Sequence, residues 1–158
     1  MPAAQTQTLR MERLFDCTPD ELWDAWTIAE EFARWISPLP GCDAEMLAFD
    51  PRPGGRLAYV MACPAGEALY EDGVFEVVNR PHELVIYQPH DSGDHPLAGH
   101  PLTMRVRFQA EGDRTRMLFE HAGFPADMSL DGSNAGIASM LDKLAAVVAA
   151  RTSHKETP

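Results

Sequence analysis

Residues 129–151, SLDGSNAGIASMLDKLAAVVAAR, form the longest regular segment of the chain. The apolar side chains of this segment recur with the i, i+3, i+4, i+7 spacing of one helical face: they are Ile137, Met140, Leu141, Leu144, Val147 and Val148. Several strand-like runs and two short helical runs precede it. A long amphipathic helix that follows a meandering sheet must bury its apolar face against that sheet. The segment therefore predicts a helix packed on a sheet, and it leaves open whether the helix covers a solid core or a cavity.

Length, composition and charge limit the classes of protein that the chain can represent. A chain of 158 residues, 45% of them hydrophobic and 23% charged, is typical of one soluble globular domain with a sizeable core. The formal net charge of −11 disfavours nucleic acid and anionic membrane surfaces as partners. No apolar run is long enough to cross a bilayer, and the first residues lack the basic and apolar parts of a signal peptide. We therefore expect a cytoplasmic protein without a nucleic-acid or membrane partner.

The cysteines point to the same compartment. Cys17, Cys42 and Cys63 are odd in number and widely spaced, so they form neither a metal-binding pair nor a disulfide framework. We expect buried free thiols, as in a reducing cytoplasm.

Local patterns predict an α+β fold. Thr18, Pro19 and Glu21 form the capping box and first turn of a short helix, and a second short helix begins near residue 29. The predicted strands are 8–15, 44–49, 56–62, 68–78, 83–88, 102–110 and 114–122, with a bend or bulge at Gly73. Short connections favour hairpins. The result is a curved antiparallel sheet that grips the long helix, in one domain spanning 8–151 between a flexible N-terminus (1–7) and a disordered tail (152–158).

The order and spacing of several motifs resemble a known family. They are PDELWDAWT (19–27), FARW (32–35), PGGR (53–56), GVFEVV (73–78), ELV (83–85) and LDKL (141–144), together with Thr115 and His121. They resemble the activator of heat shock protein 90 ATPase homologue C-terminal-domain-like family, of the START-like (SRPBCC) superfamily, over most of the chain. The resemblance implies a helix-grip fold with a hydrophobic cavity between sheet and long helix, and it is compatible with a homodimer.

Ten side chains are candidates for lining that cavity. A ligand pocket is mostly apolar with a few polar groups that fix orientation, and methionine adapts to varied ligands. The alternative is that these residues pack as ordinary core. The candidates come from the sheet, the second short helix and the long helix: Trp35, Tyr59, Met61, Met104, Phe108, Met117, Phe119, His121, Met140 and Leu144.

His121 is the polar member of this set. It could hydrogen-bond a ligand or act as a general base, because the pKa of a free histidine lies near neutrality. No nucleophile or carboxylate is fixed beside it by spacing. The sequence therefore favours a structural histidine bonded to a loop carbonyl or a carboxylate at the sheet edge.

Two further sets of polar residues are candidates for a site. Residues 90–100, HDSGDHPLAGH, contain histidines and aspartates suited to zinc, but their spacing matches no known zinc site, which favours a solvated loop. Of the carboxylates Glu67, Glu71 and Asp72, alternation places the last two on opposite faces of the sheet. The sequence predicts no metal, no cofactor and no catalytic residue.

Three functions follow from these patterns. The leading hypothesis is a non-enzymatic protein that binds a hydrophobic or aromatic small molecule in the cavity. The second is a cyclase-type or hydrolase-type enzyme, which requires His121 and Tyr59 to reach into one cavity. The third is a stress-related, chaperone-interacting module in which the acidic surface carries the function.

Overall fold

The computed structural model describes residues 5–37, 43–62, 68–91 and 96–156, and it has the predicted α+β architecture. Its elements follow the predicted order of one strand, two short helices, six strands and a long helix. They are β1 (Thr6–Phe15), α1 (Pro19–Thr27), α2 (Ala29–Trp35), β2 (Ala44–Phe49), β3 (Arg56–Ala62), β4 (Ala68–Asn79), β5 (Glu83–Gln88), β6 (Leu102–Glu111), β7 (Arg114–Pro125) and α3 (Asp131–Glu156).

All seven strands belong to one antiparallel sheet in the order β1-β7-β6-β5-β4-β3-β2. Strands β2 to β7 pair with their neighbours in sequence, which confirms the predicted hairpins. The exception is β1, which pairs with β7 from Thr6 opposite Pro125 to Phe15 opposite Thr115. The first strand of the chain therefore lies beside the last, and the strand before the long helix is held on both sides.

Helices α1 and α2 bring large aromatic side chains into the interior. The predicted capping box starts α1, with the Glu21 amide 3.2 Å from Oγ1 of Thr18 and the Thr18 amide 3.1 Å from Oε1 of Glu21. The indole Nε1 of Trp35 donates to the carbonyl of Ala25 at 2.8 Å and ties α2 to α1. We call the buried group that results the aromatic core: Trp26, Phe32, Trp35, Phe108 and Phe119.

The predicted inward faces of the strands are confirmed. Side chains at alternate positions of β3, β6 and β7 are buried, because each of these strands packs one face on the interior. They are Leu57, Tyr59 and Met61; Leu102, Met104, Val106 and Phe108; and Thr115, Met117, Phe119 and His121.

The end of β7 differs from the prediction. Residues 123–125 were expected to form a loop, but β7 continues through them because β1 begins at Thr6, two residues before its predicted start. The Gln7 side-chain amide donates to the carbonyl of Pro125 and fastens this extension. Gly123 has φ +112°, and a Cβ atom there would lie 2.4 Å from the carbonyl of Pro101, so only glycine is accommodated. The extension brings Phe124 into the interior.

The irregularity predicted at Gly73 occurs elsewhere in β4. Gly73 pairs regularly with Leu57, and the register breaks between Phe75 and Val77, opposite β5. A Cβ atom on Gly73 would lie 2.8 Å from the carbonyl of Tyr87. Glycine is therefore required for close approach of the two strands, and the predicted bulge at Gly73 is wrong.

Helix α3 buries the predicted face. Ile137, Met140, Leu141, Leu144 and Val148 are buried, and Val147 is half-buried. The helix begins at Asp131 rather than residue 129 and continues to Glu156, beyond the predicted end at residue 151. The extension is reasonable because residues 151–156 contain neither glycine nor proline.

Two contacts hold the middle of α3 to the rest of the fold. Nζ of Lys143 donates to the carbonyl of Ser37 at 2.9 Å, just after α2, and a guanidinium nitrogen of Arg13 lies 2.8 Å from a carboxylate oxygen of Asp142. Cys17 is a buried free thiol, as predicted, whereas Cys42 and Cys63 lie outside the described residues.

Candidate ligand pocket

A pocket of about 280 Å³ lies between the sheet and the first three turns of α3. The polar end of the pocket is formed by side chains from β4, β5, β7 and the residues just after β5. The opposite wall is apolar, and small residues of α3 form a rim that is partly open to solvent. In the described part of the chain the lining consists of Glu71, Gln88, His90, Leu97, Leu102, His121, Phe124, Gly132, Ser133, Gly136, Ile137 and Met140.

The structure brings two of the ten predicted ligand residues to this pocket, His121 and Met140. The other eight are buried in the core and are not among the lining residues: Trp35, Tyr59, Met61, Met104, Phe108, Met117, Phe119 and Leu144. The reason is the aromatic core, which fills the space between α1, α2, β6 and β7. For these eight residues a ligand contact stays a prediction that would require the core to open.

His121 lies at the polar end of the pocket with only 8% of its surface exposed. Its Nε2 is 2.8 Å from Oε1 of Gln88, on the other side of β6. The rings of Phe119 and Phe124 pack edge-on against the imidazole at 5.9 and 5.1 Å. The predicted loop carbonyl or carboxylate partner is thus wrong, because a side-chain amide from β5 takes that place.

Burial lowers the pKa of His121 to about 4, while the charges of Glu71 and His90 act in opposite directions. The imidazole is therefore neutral at pH 7. With Oε1 of Gln88 as acceptor, Nε2 carries the proton and Nδ1 is left with a lone pair. Nδ1 is buried and has no hydrogen-bond partner among the residues that the structure describes. Such an orphaned buried atom is uncommon and calls for a physical explanation.

His90 closes the segment that follows β5. Its backbone has φ 53°, a conformation that is rare for residues other than glycine. Its Nδ1 donates to the carbonyl of His100 at 2.8 Å, and its own carbonyl accepts from the amide of Gly99 at 3.1 Å. Its Nε2 lies 3.6 Å from Oε2 of Glu71. Only 6% of His90 is exposed, so the predicted solvated loop is wrong at this residue.

His90 and Glu71 are neighbours in the pocket lining and form an ion pair when His90 is protonated. Burial by itself would lower the pKa of His90, but the hydrogen bonds to Glu71 and to the carbonyl of His100, with the negative charges of Glu71 and Asp91, outweigh it and raise that pKa. The neighbouring carboxylate of Asp72 points to the other face, 3.2 Å from a guanidinium nitrogen of Arg56. The predicted separation of Glu71 from Asp72 is confirmed.

The polar residues are poorly arranged for proton transfer. Both ring nitrogens of His90 have partners, and His121 is a weak base. The second hypothesis required Tyr59 and His121 to share a cavity, but Tyr59 is not among the described lining residues. Burial, with the charge of Glu71, raises the pKa of Tyr59 well above its ordinary value.

Sequence reasoning missed Glu71, Gln88 and His90 as pocket residues. Alternation along β4 could have placed Glu71 on the inward face, and the structure confirms this face by pairing Glu71 with the buried Tyr59. Gln88 continues the inward alternation of Leu84 and Ile86, but a polar residue at the end of a strand is expected to be exposed. His90 was assigned to a loop, and its burial depends on contacts with distant residues.

The described ranges give no indication of a metal site or of a membrane span. Those residues contain no group of three or more histidine, cysteine, aspartate or glutamate side chains that could hold a metal ion. Asp94 and His95 of the 90–100 segment lie outside those ranges. None of the helices that the structure describes is both long and apolar enough to span a membrane.

Solved structures with the same fold come from several bacteria. A protein from Chromobacterium violaceum superposes with a TM-score of 0.80 at 19% sequence identity, covering 89% of this chain and 96% of that one. A protein from Nitrosomonas europaea gives a TM-score of 0.77 at 21% identity, covering 97% and 99%. A Staphylococcus aureus protein described as of unknown function gives 0.76 at 19%, covering 94% and 97%. At these identities the likeness establishes the helix-grip fold. No curated protein matches the sequence.

Residues 16–149 match the sequence profile described as Activator of Hsp90 ATPase homolog 1-like protein. The fold and the profile together define a START-like protein. The chain belongs to the Activator of Hsp90 ATPase homolog 1-like family, as the motifs between residues 19 and 144 indicated.

Proposed function

We propose that this protein binds a small, mainly apolar molecule, without transforming it, in the pocket between the sheet and α3. The observation that carries the proposal is the pocket itself, a space of about 280 Å³ with an apolar wall and a few polar groups at one end. Ligand pockets have this composition, and their volumes begin at roughly 300 Å³. A cavity of about 150 Å³ already admits benzene. The pocket therefore suits a molecule of one or two rings.

Binding without reaction is favoured by the state of the two histidines. A general base needs a free nitrogen and a pKa near the working pH. His90 has both ring nitrogens engaged, and the pKa of His121 is about 4. Turnover of a ligand that is abolished by His121→Ala while the variant stays folded would favour the enzyme hypothesis instead.

A pair of adjacent residues on α3 gives a direct test. Ile137 lines the pocket, whereas Ala138 is exposed. We expect Ile137→Trp to fill the pocket and to weaken binding of naphthalene at least roughly tenfold, because the ring takes the ligand's volume. Ala138→Trp should leave the affinity within about twofold of wild type. Equal affinities in the two variants, measured by equilibrium dialysis, would show that binding takes place elsewhere.

Native mass spectrometry of the purified full chain addresses the natural ligand. A retained small molecule that is released on denaturation, and that is reduced in Ile137→Trp but not in Ala138→Trp, would support the proposal and give the molecule's mass. Retention that is equal in both variants would contradict binding in this pocket.

Family membership favours a second candidate, stimulation of a heat-shock ATPase. Here the acidic surface, with a formal net charge of −11, would make the contact. The distinguishing measurement is the ATPase rate of an Hsp90 chaperone with and without the protein at low salt. An unchanged rate contradicts this candidate and leaves ligand binding unaffected.

A further inference from the structure

The unsatisfied Nδ1 of His121 indicates which polar group a ligand of this pocket would carry. We propose that the pocket selects uncharged one-ring or two-ring molecules that carry a hydroxyl or N–H group, which donates a hydrogen bond to Nδ1 of His121. This inference rests on the proposed function and specifies the ligand class for the same pocket.

The hydrogen bond to Gln88 decides which role Nδ1 takes. Oε1 of Gln88 accepts from Nε2 at 2.8 Å, so the proton of the neutral ring lies on Nε2 and Nδ1 is an acceptor. His121 is 8% exposed, and its Nδ1 is buried without a hydrogen-bond partner in the described ranges. Phe119 and Phe124 pack edge-on against the ring and offer no donor. Because His121 lines the pocket, a ligand bound there is the proposed source of a donor for Nδ1.

The charges around the pocket disfavour an anionic ligand. His121 is neutral, and Nε2 of His90 already lies beside the carboxylate of Glu71, 3.6 Å away. A ligand carboxylate would lose its hydration and find no unpaired cation among these groups, which is costly. It would also carry no proton to offer to Nδ1. An alcohol, a phenol or a heteroaromatic N–H satisfies the histidine without adding charge.

Naphthalene and three derivatives of similar size separate these effects. Naphthalene tests apolar fit, 2-naphthol adds a donor, 2-methoxynaphthalene has an acceptor only, and 2-naphthoate is an anion. At pH 7.5 we expect 2-naphthol to bind roughly tenfold more tightly than 2-methoxynaphthalene, and 2-naphthoate to bind most weakly, as judged by equilibrium dialysis with the full chain.

Two substitutions connect the preference to His121. His121→Phe removes the acceptor and keeps a ring, so 2-naphthol and 2-methoxynaphthalene should bind within about twofold of each other. Gln88→Glu is close in size and places a negative charge against Nε2, which favours the imidazolium. Nδ1 then becomes a donor, and the preference should reverse towards 2-methoxynaphthalene. If circular dichroism shows that one variant is unfolded, the ligand preference of the other variant tests the proposal.

The outcomes distinguish this inference from the function on which it rests. If wild type binds naphthalene but does not prefer 2-naphthol over 2-methoxynaphthalene, or prefers 2-naphthoate, the ligand class is wrong and the pocket function stands. Retention of the 2-naphthol preference in a folded variant that lacks the acceptor also overturns the ligand class. If none of the four compounds binds, the proposed function fails and the ligand class fails with it.

Discussion

The space between the sheet and α3 has two ends that differ in almost every respect. At one end the aromatic core is dry and closed, with Trp26 and Trp35 fully buried and their ring centroids 4.5 Å apart. At the other end the pocket holds about 280 Å³ of space beside buried ionisable groups. The same sheet supports both ends. What differs is the covering, which is α1 and α2 at the closed end and the glycine-containing first turns of α3 at the open end.

This difference shows how one fold combines stability with a binding site. Aromatic side chains remove much apolar surface from water, so the closed end contributes most of the stabilisation. Within the described ranges each end holds one buried nitrogen without a hydrogen-bond partner, Nε1 of Trp26 at the closed end and Nδ1 of His121 at the open end, and each costs stability. The open end differs in that it also buries the pair of His90 and Glu71. Buried ionisable groups such as His90, Glu71 and His121 cluster at binding and catalytic sites, so they favour the open end as the site of binding.

The largest expected change in unfolding free energy comes from replacing a methionine by alanine in the aromatic end and in the pocket end of the interior. Met117 is fully buried away from the pocket, whereas Met140 lines the pocket and is 5% exposed. Met117→Ala leaves a new cavity and should cost about 4 kcal/mol of unfolding free energy. Met140→Ala only enlarges space that already exists, and should cost about 2 kcal/mol. Urea unfolding of both variants provides the measurement, and equal losses would mean that the two ends are packed alike.

The closed end was largely predictable from the sequence, and the open end was not. The alternation in β6 and β7 and the spacing in α3 identified Phe108, Phe119 and Leu144 as inward-facing, because periodicity reports which face is buried. Periodicity does not report what is opposite that face. Whether an inward side chain meets another side chain or empty space depends on how α1 and α2 dock, which is a property of the tertiary structure.

The polar residues of the pocket illustrate the same limit. His121 was identified because it continues an apolar alternation. Gln88 and His90 were missed because each is buried by a partner far away in sequence or across a loop: His121 for Gln88, and Glu71 and His100 for His90. A strand end and a loop rich in glycine and proline are expected to be exposed, and here tertiary contacts override that expectation.

The second expected effect is the contribution of the neutral His121 to the loss of stability at acid pH. The pKa of His121 is lowered from an ordinary 6.5 to about 4 by burial, so between these values the unfolded chain binds a proton that the folded chain does not. Stability therefore falls as the pH drops through this window, by up to about 3 kcal/mol at about 1.4 kcal/mol per pH unit.

Comparing wild type with His121→Phe measures this contribution. We expect the variant to lose less stability than wild type between pH 6.5 and 4, in urea unfolding at several pH values, because the other titrating groups are common to both proteins. Parallel pH profiles would indicate that His121 takes up its proton in the folded state as readily as in the unfolded chain.

The third effect concerns the ion pair, which responds to pH in the opposite sense. The raised pKa of His90 means that the pair stabilises the fold fully below pH 6.5, and that this contribution is lost as the pH rises through the raised value. Glu71→Gln removes the carboxylate, and should lower the pKa of His90 in an NMR titration and cost about 2 kcal/mol near pH 6.

Asp72 is the matched control for this substitution. It is the next residue in β4, and its carboxylate pairs on the surface with Arg56. Asp72→Asn should cost no more than about 0.5 kcal/mol and leave the pKa of His90 unchanged. Equal effects of the two substitutions would show that the buried pair behaves like a surface pair, and the distinction between the ends of the molecule would weaken.

The smallest effect tests the covering of the open end. Gly132 lies in the first turn of α3 on the rim of the pocket, and a Cβ atom there would meet nothing within 4 Å. Gly132→Ala should therefore stabilise the protein by about 0.5 kcal/mol, because alanine loses less backbone entropy in a helix. Gly112 has equally open surroundings but φ +63°, so Gly112→Ala should destabilise the protein. Adding a methyl group is thus expected to raise the unfolding free energy at Gly132 and to lower it at Gly112, because the two backbone conformations differ. A loss of stability in Gly132→Ala would mean that the first turn of α3 is not helical in solution, and that the rim of the pocket is built differently.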